Sequence, residues 1–371
     1  MAMRLRTTIS YLLFPLTMWY AVGVAVRNIL YGLGMKKQQS AAIATVGVGN
    51  LCVGGSGKTP HTEYMLELLS PMVRTAVLSR GYKRQSAGYQ QDDGSHDAGL
   101  LGDEAAMVAQ RHPETIVAVC KDRCEGIARL SELPDEERPE VVLLDDAFQY
   151  RRLKPNINVL LTEYRRPYSR DRILPYGSLR EFRGGCYRAS VVVVTKSPAR
   201  LNPIERHNLE QELKLKNYQR VYFSYLNYLP LRTLDGQEAK AELRGIDRAL
   251  VVTGIAHPSS LLDEVRLHCK AQHLAFPDHH DYTQHDVERI AEAFKAMPGE
   301  RKIVLTTEKD AVKLCRLKVD FPLYVQPVKV AFHKDAEADF DSFLVATVKE
   351  NISFLRKLNT WARPKSLKPE E

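Results

Sequence analysis

Residues able to do chemistry concentrate first in the run Gly49-Asn50-Leu51-Cys52-Val53-Gly54-Gly55-Ser56-Gly57-Lys58-Thr59. Glycines at 54, 55 and 57 let successive backbone N–H groups turn toward an anion with no Cβ in the way, and a helix starting near Lys58 adds its positive end. In such a loop Gly54, Gly55, Ser56 and Gly57 surround phosphate oxygens, Lys58 reaches the β- and γ-phosphates, and the Thr59 hydroxyl ligates Mg²⁺. The strict pattern has glycine where this chain has Cys52. A second group supports the first: Val141-Val142-Leu143-Leu144 runs into Asp145-Asp146, a strand delivering two carboxylates to a sheet edge, where such acids hold Mg²⁺ directly or through water. The bland alternatives are a glycine-rich turn with a chance Gly-Lys-Thr and a solvated strand end. Taken together, the two motifs make nucleoside triphosphate chemistry, with ATP and Mg²⁺, the base hypothesis.

Positioning these groups requires a sheet. Short apolar runs at 41–48, 75–78, 115–119, 141–144, 157–161 and 190–194 read as strands, with helix-length segments between most of them, and further strands are expected at 220–225, 249–253 and 302–306. Continuous apolar strands separated by helices imply an α/β fold with a mostly parallel sheet covered on both faces. The Pro-bearing, charged stretch 151–156 reads as a domain crossing, and 341–361 as a final amphipathic helix. The expected organisation is therefore an N-terminal segment over 1–33, a first domain over 34–156 with the C-terminal helix in 335–371 packing on it, and a second α/β domain over 157–334.

Composition narrows the class. The 371 residues are 44% apolar and 26% charged, enough for two packed cores and too apolar for a disordered chain. Six scattered cysteines without a C-x-x-C pair suggest neither a zinc site nor a disulfide framework, and fit a reducing compartment. Residues 1–40 hold Arg4, Arg6, Arg27, Lys36 and Lys37 and no acid, beside the uncharged run Tyr11 to Val26. A helix of those 16 residues is about 24 Å long, short of a hydrocarbon core of about 30 Å. The alternatives are a signal peptide, which lacks a cleavage site, and a helix buried on the domain. The favoured reading is an interfacial helix with Trp19 and Tyr20 at headgroup depth and a membrane surface, not nucleic acid, as partner.

Further motifs follow in order: Ser79-Arg80-Gly81-Tyr82, Gly102-Asp103-Glu104, Ile173 through Glu181, Phe276-Pro277-Asp278-His279-His280-Asp281-Tyr282, and Thr307-Glu308-Lys309-Asp310. In this order and spacing the chain resembles the tetraacyldisaccharide 4'-kinase family of lipid A biosynthesis, over most of its length. The resemblance implies two α/β/α domains joined by a short β linker, the first of P-loop NTPase type, with the active site in the cleft between them. It also implies transfer of the ATP γ-phosphate to the 4'-hydroxyl of a tetraacylated glucosamine disaccharide 1-phosphate, by a peripheral or monotopic enzyme at the cytoplasmic face of the bacterial inner membrane, with no obligate protein partner. By register, Asp103 matches the catalytic base, His279 its partner, and Arg180 the arginine on the transferring phosphate. Glu181, Asp145 and Asp146 match Mg²⁺-linked acids, while Arg80, Tyr82 and Gln149 match the substrate side. Ala147 and Tyr150 depart from the family's usual Gly and His.

The residues themselves leave choices open. Asp103 after Gly102 reads equally as a helix N-cap and as a base; the histidines read as surface groups as well as catalysts, and Arg180 with Glu181 as an exposed pair. A rival function is a membrane-associated NTPase switch that hydrolyses rather than transfers. Against it, Thr195-Lys196-Ser197-Pro198 sits where a guanine-reading segment is expected and lacks its closing Asp. A third reading, a soluble kinase for a small acceptor, leaves the apolar and basic N-terminus without a purpose.

Overall fold

Val- and Ile-rich runs that alternate with helices form parallel strands because each strand satisfies its backbone on both sides and needs cover on both faces. The computed structural model describes residues 2–239, 242–255, 257–278, 280–334 and 339–362, with side chains from Pro15 to Leu358. In chain order the elements are α1 (Ala2–Gly32), β1 (Ala44–Asn50), α2 (Lys58–Leu69), β2 (Thr75–Ser79), the single turn α3 (Ala98–Leu101), α4 (Asp103–Arg111), β3 (Ile116–Val119), α5 (Arg123–Ser131), β4 (Val141–Leu144), β5 (Ile157–Glu163), β6 (Val191–Thr195), α6 (Pro203–Leu213) and β7 (Arg220–Tyr228). There follow β8 (Arg248–Thr253), α7 (Ser259–His268), β9 (Lys270–Ala275), α8 (Gln284–Ala296), β10 (Lys302–Thr307), α9 (Glu308–Leu314), β11 (Leu323–Gln326), β12 (Val328–Phe332) and α10 (Phe340–Ala362).

The larger sheet has the order β12-β7-β6-β5-β1-β4-β2-β3, with Gln90–Gln91 at the far edge. From β7 to β3 every pairing is parallel, and Gln90–Gln91 runs antiparallel to β3. Register puts Gly47 of β1 opposite Leu144 of β4, so the chain leaves both strands at one edge of the sheet. Side chains of β4 alternate between layers. Val141 and Leu143 join Met65 and Leu66 of α2, Val108 of α4 and Leu344 of α10; Val142 and Leu144 join Ile127 and Leu130 of α5. The apolar stripe of α10, Phe340, Leu344, Val348 and Ile352, recurs every fourth residue and is buried in the first of these layers.

Two compact units result, Met1–Tyr225 with Phe332–Glu371, and Leu226–Ala331. The expected boundary at residue 156 is corrected here: β5, β6 and β7 extend the first sheet beyond β1, so the first unit continues to Tyr225. In the second unit the order is Arg232–Thr233, β11, β10, β8, β9, parallel except at Arg232–Thr233. Leu250 and Val252 face Val287 and Ile290 of α8, and Ala249 and Val251 face Leu261 and Val265 of α7.

No helix among the described residues is long and apolar enough to cross a membrane. Along α1, Leu16, Met18 and Trp19 are exposed, Trp19 to 78%, whereas Val24 is buried. The inner side is tied down: the Tyr20 hydroxyl donates to the Arg180 carbonyl at 2.8 Å, and Arg151 donates to the Asn28 carbonyl at 3.2 Å and lies 4.8 Å from the Tyr31 ring centre.

The end of β1 tolerates no side chain at Gly49, where a Cβ would stand 2.6 Å from Phe148 Cβ and 2.8 Å from its backbone N. Gly49→Ala is expected to destabilise the protein by about 1–3 kcal/mol through overpacking, read as a fall in the denaturant midpoint.

Candidate active site

The glycine-rich loop occupies the turn between β1 and α2. Gly54 and Gly57 take left-handed φ values of 114° and 82°, which explains glycine at both. Cys52 stands in for the expected glycine because the backbone there is not left-handed: it forms an antiparallel bridge with Leu179. Val53 N–H donates to the Ser178 carbonyl and Arg180 N–H to the Leu51 carbonyl, both at 2.7 Å. That bridge fastens the segment carrying Arg180 to the loop carrying Lys58.

At the end of β4 the Asp145 N–H still donates to Leu78 of β2, and Ala147 N–H already donates to Val48 of β1. Asp146 makes the turn between them with φ 44°, a left-handed conformation uncommon outside glycine. Its carboxylate meets Arg180 at 3.0 and 3.3 Å and Lys58 at 3.7 Å. Asn50 completes the cluster, accepting from Arg180 through Oδ1 and donating to the Ser56 hydroxyl at 2.7 Å. Burial alone would raise the Asp146 carboxyl, but Lys58, Arg180 and Arg123 outweigh it and hold it below the usual range.

Asp145 behaves oppositely. It is buried, takes a 3.3 Å hydrogen bond from Thr62, and is pushed up to about 7 by burial and then by the neighbouring carboxylates Glu104 and Asp146. Thr59 lies half-buried in the first turn of α2. A hydroxyl and carboxylate oxygens crowded beyond what Lys58 neutralises are a hard-oxygen donor set that suits Mg²⁺.

Asp103 opens α4, and the preceding Gly102 is the N-cap, without a side-chain cap hydrogen bond. Asp103 is thus the first residue of the helix and not its cap, half-buried. Gly102 has φ 87° and would place a Cβ 2.5 Å from the Tyr82 carbonyl, so the Arg80–Tyr82 turn packs directly against the start of α4. Arg80 lies within electrostatic range of buried Arg123, which in turn faces Asp145 and Asp146. Tyr82 is 64% exposed.

One expectation changes. Glu181, matched to a metal-linked acid, is fully buried with both oxygens on Arg188 at 2.6 and 2.9 Å, away from the Asp146 cluster. Arg188 also covers the Phe148 ring, 4.6 Å from its centre, so this pair braces the turn after Asp146. Tyr150, in place of the usual histidine, donates to Asp122 at 2.6 Å, and Asp122 caps α5 through Cys124 N–H and Glu125 N–H. His279 lies outside the described residues. Its neighbour His280 pairs with Asp286 at 3.0 Å and stacks on Phe276. Burial would raise Asp286, yet the bonds from His280 and Thr283 hold it at about 2. Asp310 of the Thr-Glu-Lys-Asp run is buried, accepting from Gly254 N–H at 3.1 Å and the Thr307 hydroxyl at 2.7 Å, a link within the second unit.

Gln149 donates to the Asn50 carbonyl at 2.5 Å and borders a pocket of about 470 Å³ that Arg27, Tyr31, Lys121 and Arg151 also line. Within the pocket's walls, Nε and Nη2 of Arg27 and Nε of Arg151 are buried without a hydrogen-bond partner. Sequence reasoning missed these donors, together with Asn50, Arg123, Lys196 and His61. Only the position of Lys196 after a strand signalled its nearness to the loop.

A parallel sheet with a phosphate loop after one strand and an acid pair at the end of the next defines a P-loop enzyme acting on nucleoside triphosphates. The sequence profile of the tetraacyldisaccharide-1-P 4'-kinase family matches residues 9–349, and the chain belongs to that family. It is 39% identical over 354 residues to the tetraacyldisaccharide 4'-kinase of Parabacteroides distasonis, covering 92% of this chain and 95% of that one. To the Flavobacterium johnsoniae tetraacyldisaccharide 4'-kinase it is 38% identical over 342 residues, covering 92% and 98%. Among solved structures it is similar to LpxK from Aquifex aeolicus in complex with ATP, with a TM-score of 0.66, 28% identity, and coverage of 92% of this chain and 99% of that one.

Because Asp145 has a folded value near 7 against 3.8 for a free carboxyl, its ionised form costs stability above pH 7; the cost shrinks as pH falls and is gone below the free value. Asp145→Asn is therefore expected to raise the melting temperature of the metal-free protein more at pH 8 than at pH 5, in paired thermal melts.

Proposed function

We propose that the protein is an ATP-dependent kinase that transfers the γ-phosphoryl group to the 4'-hydroxyl of a tetraacylated glucosamine disaccharide 1-phosphate. The observation that carries the reading is the cluster that joins Lys58, Asp146, Arg180 and Asn50 at the phosphate loop, in a chain of this family. Thr59, Asp145 and Asp146 would hold Mg²⁺, which would supply neutralisation of charge on the phosphate oxygens. Loop N–H groups at Gly54, Gly55, Ser56 and Gly57 hold the phosphates, Lys58 bridges them, and Arg180 turns from Asp146 to the equatorial oxygens of the group in flight. Asp103 accepts the proton of the 4'-hydroxyl as the new O–P bond forms and the bond to ADP breaks. By family register His279 is the residue assigned as the partner of this base, and Arg80, Tyr82 and Gln149 are those assigned to the acceptor.

The pocket beside Gln149 suits the 1-phosphate. The guanidinium groups of Arg27 and Arg151 that line it supply positive charge suited to an anion. Arg27→Ala is expected to raise the KM for the acceptor by about tenfold, the size of one lost charge-assisted hydrogen bond, and to leave the KM for ATP unchanged.

The tetraacylated acceptor stays in the bilayer because each buried CH₂ contributes about 0.8 kcal/mol. Exposed Leu16, Met18 and Trp19 on α1, with basic residues around them, bring the site to the headgroups at the cytoplasmic face of the inner membrane. Deleting residues 1–33 is expected to reduce sedimentation with anionic vesicles and lipid turnover while ATP binding persists. In mixed micelles, labelled γ-phosphate is expected to enter the lipid with wild type and not with Asp103→Asn. Acceptor-independent phosphate release with no labelled lipid would move the assignment to an NTPase switch.

A further inference from the structure

Two carbonyls of the phosphate loop are held from behind by side chains that the transfer chemistry does not use. Lys196 follows β6 with φ 55°, and its ammonium donates to the Gly55 carbonyl at 2.5 Å. It is anchored by Glu163, the last residue of β5, at 2.7 Å, each side chain only 17% exposed. On α2, buried His61 bonds the Gly57 carbonyl through Nδ1 at 2.7 Å and the Ser224 hydroxyl through Nε2 at 2.8 Å. Burial holds His61 neutral at physiological pH, down to about 4.

A trans peptide is planar, so a carbonyl fixed on one side sends the following N–H to the other. Holding the Gly55 carbonyl fixes the Ser56 N–H, and holding the Gly57 carbonyl fixes the Lys58 N–H. Here the Ser56 N–H closes a narrow turn onto the Gly54 carbonyl at 2.9 Å, an acceptor that a phosphate oxygen replaces. A glycine-rich loop has many other conformations, and each brace removes some of them before the nucleotide arrives.

We propose that Lys196, anchored by Glu163, is a positioning residue that pre-shapes the phosphate loop by fixing the Gly55 carbonyl outward. The inference rests on the nucleotide-binding part of the function proposed above and adds a residue to it. It acts through the loop, so it affects any ligand that uses the loop's N–H groups, with or without a nucleoside.

The test is calorimetric titration of the full-length protein in detergent micelles with Mg-ATP and, separately, with Mg-tripolyphosphate. Lys196→Met is expected to weaken both ligands by the same factor, about tenfold or more. Lys196→Arg recovers most of the loss, and the KM for the lipid acceptor stays unchanged. Glu163→Gln, which keeps the ammonium and loosens its anchor, is expected to weaken both ligands to a smaller extent and decides the matter where the Met variant does not fold. Wild-type affinity in the variants overturns the proposal, as does a loss confined to ATP, which would make Lys196 a nucleoside contact. Wild type that binds neither ligand would overturn the nucleotide reading itself.

Discussion

Where β4 ends, two consecutive carboxylates leave the sheet at the edge where β1 delivers its glycine-rich loop, and their charges have to be answered. Asp146, turned left-handed, is met by Arg180 and Lys58 and stays ionised. Asp145 faces inward, where burial and the carboxylates of Glu104 and Asp146 outweigh the pull of Lys58. The register of Gly47 opposite Leu144 imposes this meeting, and that register follows from four consecutive buried residues in β4 packing into two different layers. Moving either strand by one residue would exchange the layers into which its side chains pack and separate the loop from the acids.

Everything nearby serves to hold that edge. The Cys52–Leu179 bridge binds the Arg180 segment to the loop, the Glu181–Arg188 pair braces Phe148 behind Asp146, and Tyr20 of α1 reaches the Arg180 carbonyl. Opening the buried Glu181–Arg188 pair from one side would cost about 3–5 kcal/mol, because it would strand a charge in the interior. The N-terminal helix is thereby tied to the backbone of Arg180, whose side chain meets Asp146 beside the phosphate loop.

Much of the fold was legible because buried parallel strands are apolar without interruption, as at Val141 to Leu144 and Val191 to Val194. Edge strands were not. Lys270–Ala275, reading Lys-Ala-Gln-His-Leu-Ala, lies at a sheet edge with alternate positions exposed and carries no continuous apolar run. The crossing expected at 151–156 does break the chain, but Pro155 packs over Gly47 of β1, and the strand that follows stays in the same sheet. The loop and the acid pair were readable from local spacing. Asn50, Lys196 and His61 were not, since their partners are 130, 141 and 163 residues away. Glu181 misled by adjacency: next to Arg180 in sequence, it turns to Arg188 while Arg180 turns to Asp146.

The Asp145–Asp146 pair is proposed above to receive the divalent cation of the bound nucleotide. Electron paramagnetic resonance of Mn²⁺ with a non-hydrolysable ATP analogue tests it directly, in wild type and in the Asp145→Asn, Asp146→Asn double variant. Wild type is expected to immobilise one Mn²⁺ per nucleotide, and the double variant to keep nucleotide binding through Lys58 while its Mn²⁺ spectrum reverts to that of the free metal–nucleotide complex. An unchanged protein-bound Mn²⁺ signal in the double variant would contradict the account.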